Sequence, residues 1–196
     1  MLAKAFLPSV AAGVSPAFSV AFLHAVNFVL PHEEEFARGH WGDENYVVAE
    51  HDPHDPGGTT KFGIDQRSHP NVDVEHLTRD EAIAIYFQEW QFYHCFLLPD
   101  RIAVAQFDVR VNGGYAVAWL QRALNTIDNA GLTVDGVMGP ATIEEANDCN
   151  EPAVLRYFIN ERDQRFTALA ANNANFARYL SGWKQRDADL RVYLAV

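Results

Sequence analysis

The chain has 196 residues, with 15 Lys and Arg against 26 Asp and Glu, so its formal net charge is −11. This length fits one domain or two small lobes with a sizeable core. A hydrophobic content of 48% with 21% charged residues is typical of a folded protein and not of a disordered one. The acidic balance argues against nucleic-acid binding, which normally requires a basic face.

The charge is unevenly distributed along the chain. Residues 1–150 contain 8 basic and 21 acidic side chains, whereas residues 151–196 contain 7 basic and 5 acidic ones. This asymmetry fits a surface that faces a substrate, and it also fits ordinary surface variation.

The first 30 residues contain no acidic side chain and, besides His24, only one basic residue, Lys4. This composition hints at a secretory signal, although Pro8, Ser15 and Pro16 interrupt the apolar run and the basic start is weak. No uninterrupted apolar stretch is long enough to predict a membrane span.

In chain order, the first predicted element is a helix that begins near Pro16 and leads into Glu33. A long loop, 36–58, follows, and loops of this length in compact domains are usually functional or mobile. The glycine turn Asp55–Gly58 runs into a short predicted strand, Thr60–Asp65, which indicates a small β-hairpin. The helix is predicted from apolar residues at helical spacing: Phe18, Phe22, Ala25, Val26, Val29 and Leu30.

The rest of the chain is predicted to be helical. Thr78–Glu81 is a capping box, since each side chain can bond the other's backbone amide, and the helix it begins runs to about Phe92. Trp90 and Trp119 lie at helical spacing and are predicted to pack in the core. Further helices are predicted from Pro99-Asp100 to Gly113-Gly114, over Tyr115–Thr126, from Gly139-Pro140 onward, and over 152–170 and 174–188. The predicted fold class is therefore mainly α with a small β-hairpin.

The acidic run Glu33–Glu35, at the end of the predicted helix, is a candidate for the catalytic acid of glycosidic bond cleavage. Cleavage of a glycosidic bond requires a protonated carboxyl group beside the leaving oxygen, and a second group that activates water or stabilises the cationic centre. The apolar helix behind Glu33 and the carboxylates beside it both favour a protonated acid. A solvated helix end also explains the run, but the glycine turn downstream favours the catalytic interpretation.

Ordered motifs along the chain resemble glycoside hydrolase family 108, a family of lysozyme-like N-acetylmuramidases. The C-terminal motifs are similar to the helical peptidoglycan-binding domain that usually follows in that family. The motifs are Phe22-x-x-Ala25 to Glu33, Asp52-Pro53 to Ile64, Leu77 to Tyr86, Phe107 to Gly114, Leu120 to Leu124, Val134 to Thr142, and Gly182-Trp183-x-x-Arg186.

The resemblance implies a lysozyme-like fold with Glu33 as the catalytic acid, opposed by Asp55 and Thr60 on the hairpin. The chain differs from the family pattern in two respects: Glu33 is followed by Glu34-Glu35-Phe36 in place of Gly-Gly-Tyr, and residues 37–50 are inserted. Glu44 and Glu50 therefore remain alternative acids. The substrate is expected to contact Asn112, Asp108 and, from the inserted loop, Trp41; Asn112 can equally cap its helix.

These observations predict a monomeric muramidase that cleaves the β-1,4 bond between N-acetylmuramic acid and N-acetylglucosamine of peptidoglycan in the periplasm or cell envelope. A catalytic domain is expected over residues 16–110 and a helical peptidoglycan-binding domain over 111–190. No cofactor, nucleic-acid partner or membrane insertion is expected. Three alternatives remain open: a degenerate peptidoglycan-binding protein, a lytic transglycosylase, and a metal-dependent peptidase using His51-Asp52-x-His54-Asp55.

The two cysteines do little to favour a metal. Cys95 and Cys149 are far apart in sequence and form no metal-binding spacing, and there is no HExxH motif. We therefore expect no metal, and loop histidines that are simply polar surface.

Overall fold

The apolar segment before the acidic run forms helix α1 (Val20–Glu35). The structure, a computed structural model, describes residues 18–35, 49–51 and 58–196. α1 packs against α2 (Arg79–Phe92), with Phe22 lying edge-on to Trp90 at a ring distance of 5.7 Å. Of the residues predicted to face the core, Phe18 is only half-buried, whereas the other five are buried: Phe22, Ala25, Val26, Val29 and Leu30. Phe28 is buried as well.

A small antiparallel sheet follows α1. Its strands are β1 (Glu50–His51), β2 (Thr59–Lys61) and β3 (Ile64–Asp65), in the order β1-β2-β3. The predicted single strand Thr60–Asp65 is wrong, because the chain reverses in its middle at Phe62-Gly63. Both turn residues have positive φ, 53° and 71°, as a two-residue hairpin turn matched to the strand twist requires. β1 lies inside the segment predicted to be loop.

Helix α2 begins as its capping box predicts. The Thr78 amide donates to Glu81 Oε2 at 2.8 Å, and the Glu81 amide donates to Thr78 Oγ1 at 3.3 Å. The Thr78 bonds also hold the pKa of Glu81 below its usual value. Ala82, Tyr86 and Trp90 form the buried face of the helix. None of the helices in the described ranges is long and apolar enough to cross a membrane.

The chain divides into two compact units, residues 1–92 and 93–196. The second unit is helical throughout its regular elements, and α4 and α6 pack together at its centre with α3 and α8 against α6. Its elements are a short 3₁₀ helix (Cys95–Leu97), α3 (Asp100–Val111), α4 (Ala116–Asp128), α5 (Pro140–Asp148), α6 (Glu151–Asn172), α7 (Ala174–Ala177) and α8 (Leu180–Leu194).

Both tryptophans predicted to be core residues are buried: Trp90 is 0% exposed and Trp119 is 3% exposed. The mainly α prediction is confirmed. One helix differs, because the predicted element 174–188 is divided by Arg178-Tyr179 into α7 and α8. That break brings the rings of Phe176 and Tyr179 to within 6.2 and 5.8 Å of Trp183.

Gln121 explains the motif that runs from α4 to α5. Its buried amide nitrogen donates to Asp135 Oδ1 at 2.8 Å and to Thr142 Oγ1 at 3.2 Å, and its oxygen accepts from the Gly136 amide at 2.9 Å. The bond from Gln121 holds the pKa of Asp135 below its usual value. One side chain on α4 therefore fixes the loop before α5, which is a structural role for these motif residues.

Candidate active site

Glu33 lies in the last turn of α1, and its carboxyl group packs directly on the hairpin. A Cβ placed on Gly63 would lie 2.7 Å from Glu33 Oε2 and 2.8 Å from its Cδ, far closer than real contacts allow. Only glycine therefore permits this approach, and its φ of 71° is itself a conformation that other residues rarely adopt. The structure thus brings the predicted acid onto the predicted hairpin.

The hairpin turn is anchored on α2. Phe62 is 2% exposed although its φ is 53°, an uncommon conformation for a bulky side chain. The Tyr86 hydroxyl donates to the Phe62 carbonyl at 2.5 Å, in a buried hydrogen bond. Backbone strain of this kind persists only where surrounding contacts fix it. The turn that meets Glu33 is therefore fixed by the hydrogen bond from Tyr86.

Thr60 lies on β2, the central strand of the sheet, three residues before Gly63. At about 3.3 Å of rise per residue, Thr60 and Gly63 are at most ~10 Å apart along the chain. Its Oγ1 is buried and has no hydrogen-bond partner among the described residues. A buried hydroxyl without a protein partner is costly unless something else bonds it.

Two predicted site residues, Asp55 and Trp41, lie outside the described residues, as does the alternative acid Glu44. Glu50, the other alternative acid, pairs through its backbone with Thr60 across β1 and β2. The described structure therefore brings together Glu33, Gly63 and the hairpin that carries Thr60.

Asp108 is not placed to bind a sugar. It is 0% exposed, and its two oxygens accept from Arg162 Nη1 at 2.5 Å and Arg186 Nη2 at 2.7 Å. Burial opposes ionisation, but Arg186 and Arg162 outweigh it and lower the pKa of Asp108. The expectation that Asp108 contacts substrate is corrected: its carboxylate joins α3 to α6 and α8 in the interior.

Asp187 completes this buried network. Its Oδ1 accepts from Arg162 Nε at 2.5 Å, and the carboxyl is 3% exposed. Burial raises the pKa of Asp187 to about 6 although Arg162 acts in the opposite direction. The sequence motifs include Arg186 but not Arg162. The available signal for Arg162 was a basic residue on the otherwise apolar buried face of α6.

Asn112 is the C-cap residue of α3, and its amide donates to the Asp108 carbonyl at 3.0 Å. Gly113 follows with a φ of 83°, as helix ends of this type prefer. The backbone of Asn112 therefore has the capping role. Its side-chain Oδ1 is buried without a hydrogen-bond partner among the described residues, which leaves the substrate-contact expectation as a prediction.

Within the described ranges, no group of three or more His, Cys, Asp or Glu side chains could hold a metal ion. The Nδ1 of His32 lies 2.8 Å from the Phe28 carbonyl oxygen, to which it can donate. Cys95 and Cys149 form no disulfide with each other, and burial together with Asp128 raises the pKa of Cys149 to about 11. Residues 52–57, which carry most of the predicted histidine and aspartate ligands, lie outside the described part.

Comparison with known protein families agrees with this architecture. Residues 44–114 match the Glycosyl hydrolase 108 family, and residues 115–188 match the family described as Predicted Peptidoglycan domain. Residues 44–114 are thus similar to the glycosyl hydrolase 108 family and residues 115–188 to a peptidoglycan domain, which confirms the resemblance drawn from the motifs. The first match contains Glu44, Glu50, Asp55 and Thr60, whereas Glu33 precedes it.

The structure of Brucella abortus SagA is similar in fold. It aligns with a TM-score of 0.65 at 22% identity, over 89% of this chain and 93% of that one. No curated protein matched the sequence. The fold is mainly α and lysozyme-like with a small antiparallel sheet. Together, the two family matches support a glycoside hydrolase that acts on peptidoglycan.

Proposed function

We propose that the protein is a muramidase that hydrolyses the β-1,4 bond between N-acetylmuramic acid and N-acetylglucosamine, with Glu33 as general acid. The observation that supports this most directly is the approach of the Glu33 carboxyl to Gly63, which would leave no room for a Cβ. The turn that it contacts is anchored by Tyr86, so the carboxyl has a defined position against the hairpin. Fixed geometry is what a general acid requires, since proton transfer needs hydrogen-bond contact with the leaving oxygen.

In this mechanism Glu33 donates its proton to the glycosidic oxygen as the bond breaks. Positive charge then develops at the sugar carbon, and a water must reach it from the opposite face. We assign Asp55 to activating that water and Thr60 to orienting it. The Oγ1 of Thr60 supports this assignment, because it has no hydrogen-bond partner among the described residues and a bound water or sugar hydroxyl would satisfy it.

The substrate places the activity in the periplasm or cell envelope, where peptidoglycan lies. The segment 115–188 would hold the polymer while the N-terminal unit cleaves it. A lytic transglycosylase is the nearest alternative, since it also uses one glutamate, but it would leave 1,6-anhydro ends. The proposed role of Thr60 favours hydrolysis, because only hydrolysis needs a positioned water.

The decisive experiment compares three purified variants, Glu33→Gln, Glu44→Gln and Glu50→Gln, on insoluble peptidoglycan. Release of reducing ends measures cleavage, mass spectrometry of the products separates hydrolysis from 1,6-anhydro formation, and thermal unfolding checks the fold. We expect Glu33→Gln to lose at least about a hundredfold in rate at an unchanged Tm, the scale of loss expected when an acid catalyst is removed. The other two variants should remain active.

Parental activity in Glu33→Gln would refute the assignment of the acid, and loss of activity in Glu44→Gln or Glu50→Gln instead would transfer it to that residue. If the parental protein retains peptidoglycan in a pull-down but releases no reducing ends, it is a binding protein. Chelator-sensitive release of new amino termini would indicate a peptidase.

A further inference from the structure

The C-terminal unit carries an exposed aromatic surface where α6, α7 and α8 meet. We name it the Trp183 surface and define it by six residues: Phe166, Asn175, Phe176, Arg178, Tyr179 and Trp183. Phe176 and Tyr179 are each 37% exposed, the whole segment 171–179 is exposed, and Trp183 is half-buried beside them. Large aromatic rings left in solvent as a cluster usually mark a binding surface.

The rings are held in place before any ligand binds. Trp183 stacks on the buried Phe166 with ring centroids 4.5 Å apart and planes inclined by 21°. The Tyr179 ring lies 5.8 Å from the Trp183 ring. Rings fixed in this way lose little conformational freedom on binding, which makes them effective anchors.

Polar groups border these rings. The Arg178 guanidinium lies 4.7 Å from the Tyr179 ring and donates to its hydroxyl at 2.6 Å. Asn175 is exposed beside Phe176, and its backbone amide is bonded by the Asn173 side chain, which fixes the short helix α7. Aromatic faces with a few convergent polar groups are the composition of ligand sites.

We propose that the Trp183 surface binds the glycan strand of peptidoglycan, with an N-acetylated sugar ring stacked on Tyr179 and Trp183. A pyranose ring has an apolar face that matches an aromatic ring, and its N-acetyl and hydroxyl groups match the amide of Asn175. The lactyl carboxylate of N-acetylmuramic acid matches the planar guanidinium of Arg178. This inference rests on the proposed function for the identity of the polymer, and it assigns the binding site within it.

Charge also favours this occupant. Residues 151–196 carry 7 basic and 5 acidic side chains, whereas the preceding part of the chain is strongly acidic. Peptidoglycan is anionic through its lactyl and stem-peptide carboxylates, so the exposed guanidinium of Arg178 beside the rings attracts it.

The test measures the affinity of a peptide-free tetrasaccharide of alternating N-acetylglucosamine and N-acetylmuramic acid by calorimetry. The binding protein is Glu33→Gln, so that the ligand is not consumed. Adding Tyr179→Ala should weaken binding about tenfold, the usual loss for truncating an aromatic anchor. The matched control is Tyr193→Ala, a tyrosine on α8 that is 43% exposed outside the patch, and it should bind within twofold of Glu33→Gln.

A second variant tests the sugar chemistry. Arg178→Gln should weaken binding of the tetrasaccharide but not of chitotetraose, which has the same N-acetyl groups and no carboxylate. Equal affinity of Tyr179→Ala and Tyr193→Ala would overturn the proposal, as would binding of free stem peptide in place of the glycan. A dimer that depends on Tyr179 in size-exclusion chromatography would assign the surface to a second copy of the chain instead.

The two proposals fail separately. If glycan binding does not depend on Tyr179 while Glu33→Gln is inactive, only the Trp183 surface is refuted and the muramidase proposal stands. Tyr179-dependent glycan binding with a fully active Glu33→Gln variant would do the reverse.

Discussion

Gly63 offers the sharpest test of the proposed acid, because an alanine at this position perturbs Glu33 without touching its chemistry. The new Cβ would lie 2.7 Å from Glu33 Oε2 and 2.8 Å from its Cγ and Cδ. Carbon contacts normally settle at about 3.5–4.0 Å, so the carboxyl or the turn must move by roughly 0.7 Å or more. Because Tyr86 holds the turn, we expect the carboxyl to give way.

A displacement of this size is large for catalysis. A misplacement of about 1 Å can cost a factor of ~100 in rate, so a shift of roughly 0.7 Å predicts a 20- to 100-fold loss for Gly63→Ala. This corresponds to about 2–3 kcal/mol of transition-state stabilisation. The assay is the initial rate of reducing-end release from peptidoglycan, with Tm measured on the same preparation.

The matched control is Gly131→Ala. Gly131 has a φ of 69°, close to the 71° of Gly63, but a Cβ there meets nothing within 4 Å. Both variants therefore incur the left-handed backbone cost of about 1–2 kcal/mol, which lowers Tm by a few degrees in a chain of this size. Only Gly63→Ala should lose rate. Equal activity of the two variants would refute the argument that Glu33 acts from its position on the hairpin.

Two further predictions follow from the buried polar groups. Thr60→Val should keep Tm within a few degrees of the parental value, because the lost hydroxyl has no partner among the described residues. It should lower the rate of reducing-end release at least about tenfold, whereas Thr60→Ser should stay active. Parental activity in Thr60→Val would remove Thr60 from the mechanism. Asp108→Asn should cost about 3–5 kcal/mol in thermal or urea unfolding, since it leaves Arg162 and Arg186 with one buried carboxylate, and Asp187→Asn should cost less because burial raises the pKa of Asp187 to about 6. The pKa of Asp187 is near 3.9 in the unfolded chain, so between about pH 4 and 6 the folded state binds a proton that the unfolded state has lost. The free energy of unfolding should therefore fall as pH rises through that window, and this pH dependence should be absent in Asp187→Asn. A greater loss of stability in Asp187→Asn than in Asp108→Asn would refute this account.

Local sequence signals predicted most of the helices for a physical reason. The capping box of Thr78 and Glu81, the proline at the start of α5 and the apolar spacing of α1 act within one or two turns of chain. Such short-range preferences do not depend on what packs outside the helix. The same reasoning placed Trp90 and Trp119 correctly in the core.

Long-range contacts account for what the sequence did not predict. Asp108 was expected to contact the substrate, but its partners Arg162 and Arg186 lie more than fifty residues further along the chain and place it in the interior. The turn at Phe62-Gly63 was missed because a buried phenylalanine with positive φ violates local preference, and a hydrogen bond from Tyr86 on α2 stabilises it.

By itself, the sequence determined the resemblance to the family, the mainly α class and the order of the motifs, since these depend on local pattern and spacing. Only the tertiary structure shows that the Glu33 carboxyl meets the hairpin. Helix register alone favoured Glu33, but its carboxyl contact with Gly63 depends on how α1 and the sheet pack together. Gly63 lies thirty residues from Glu33 in sequence, so the requirement for glycine at this position follows only from the fold that places the two in contact.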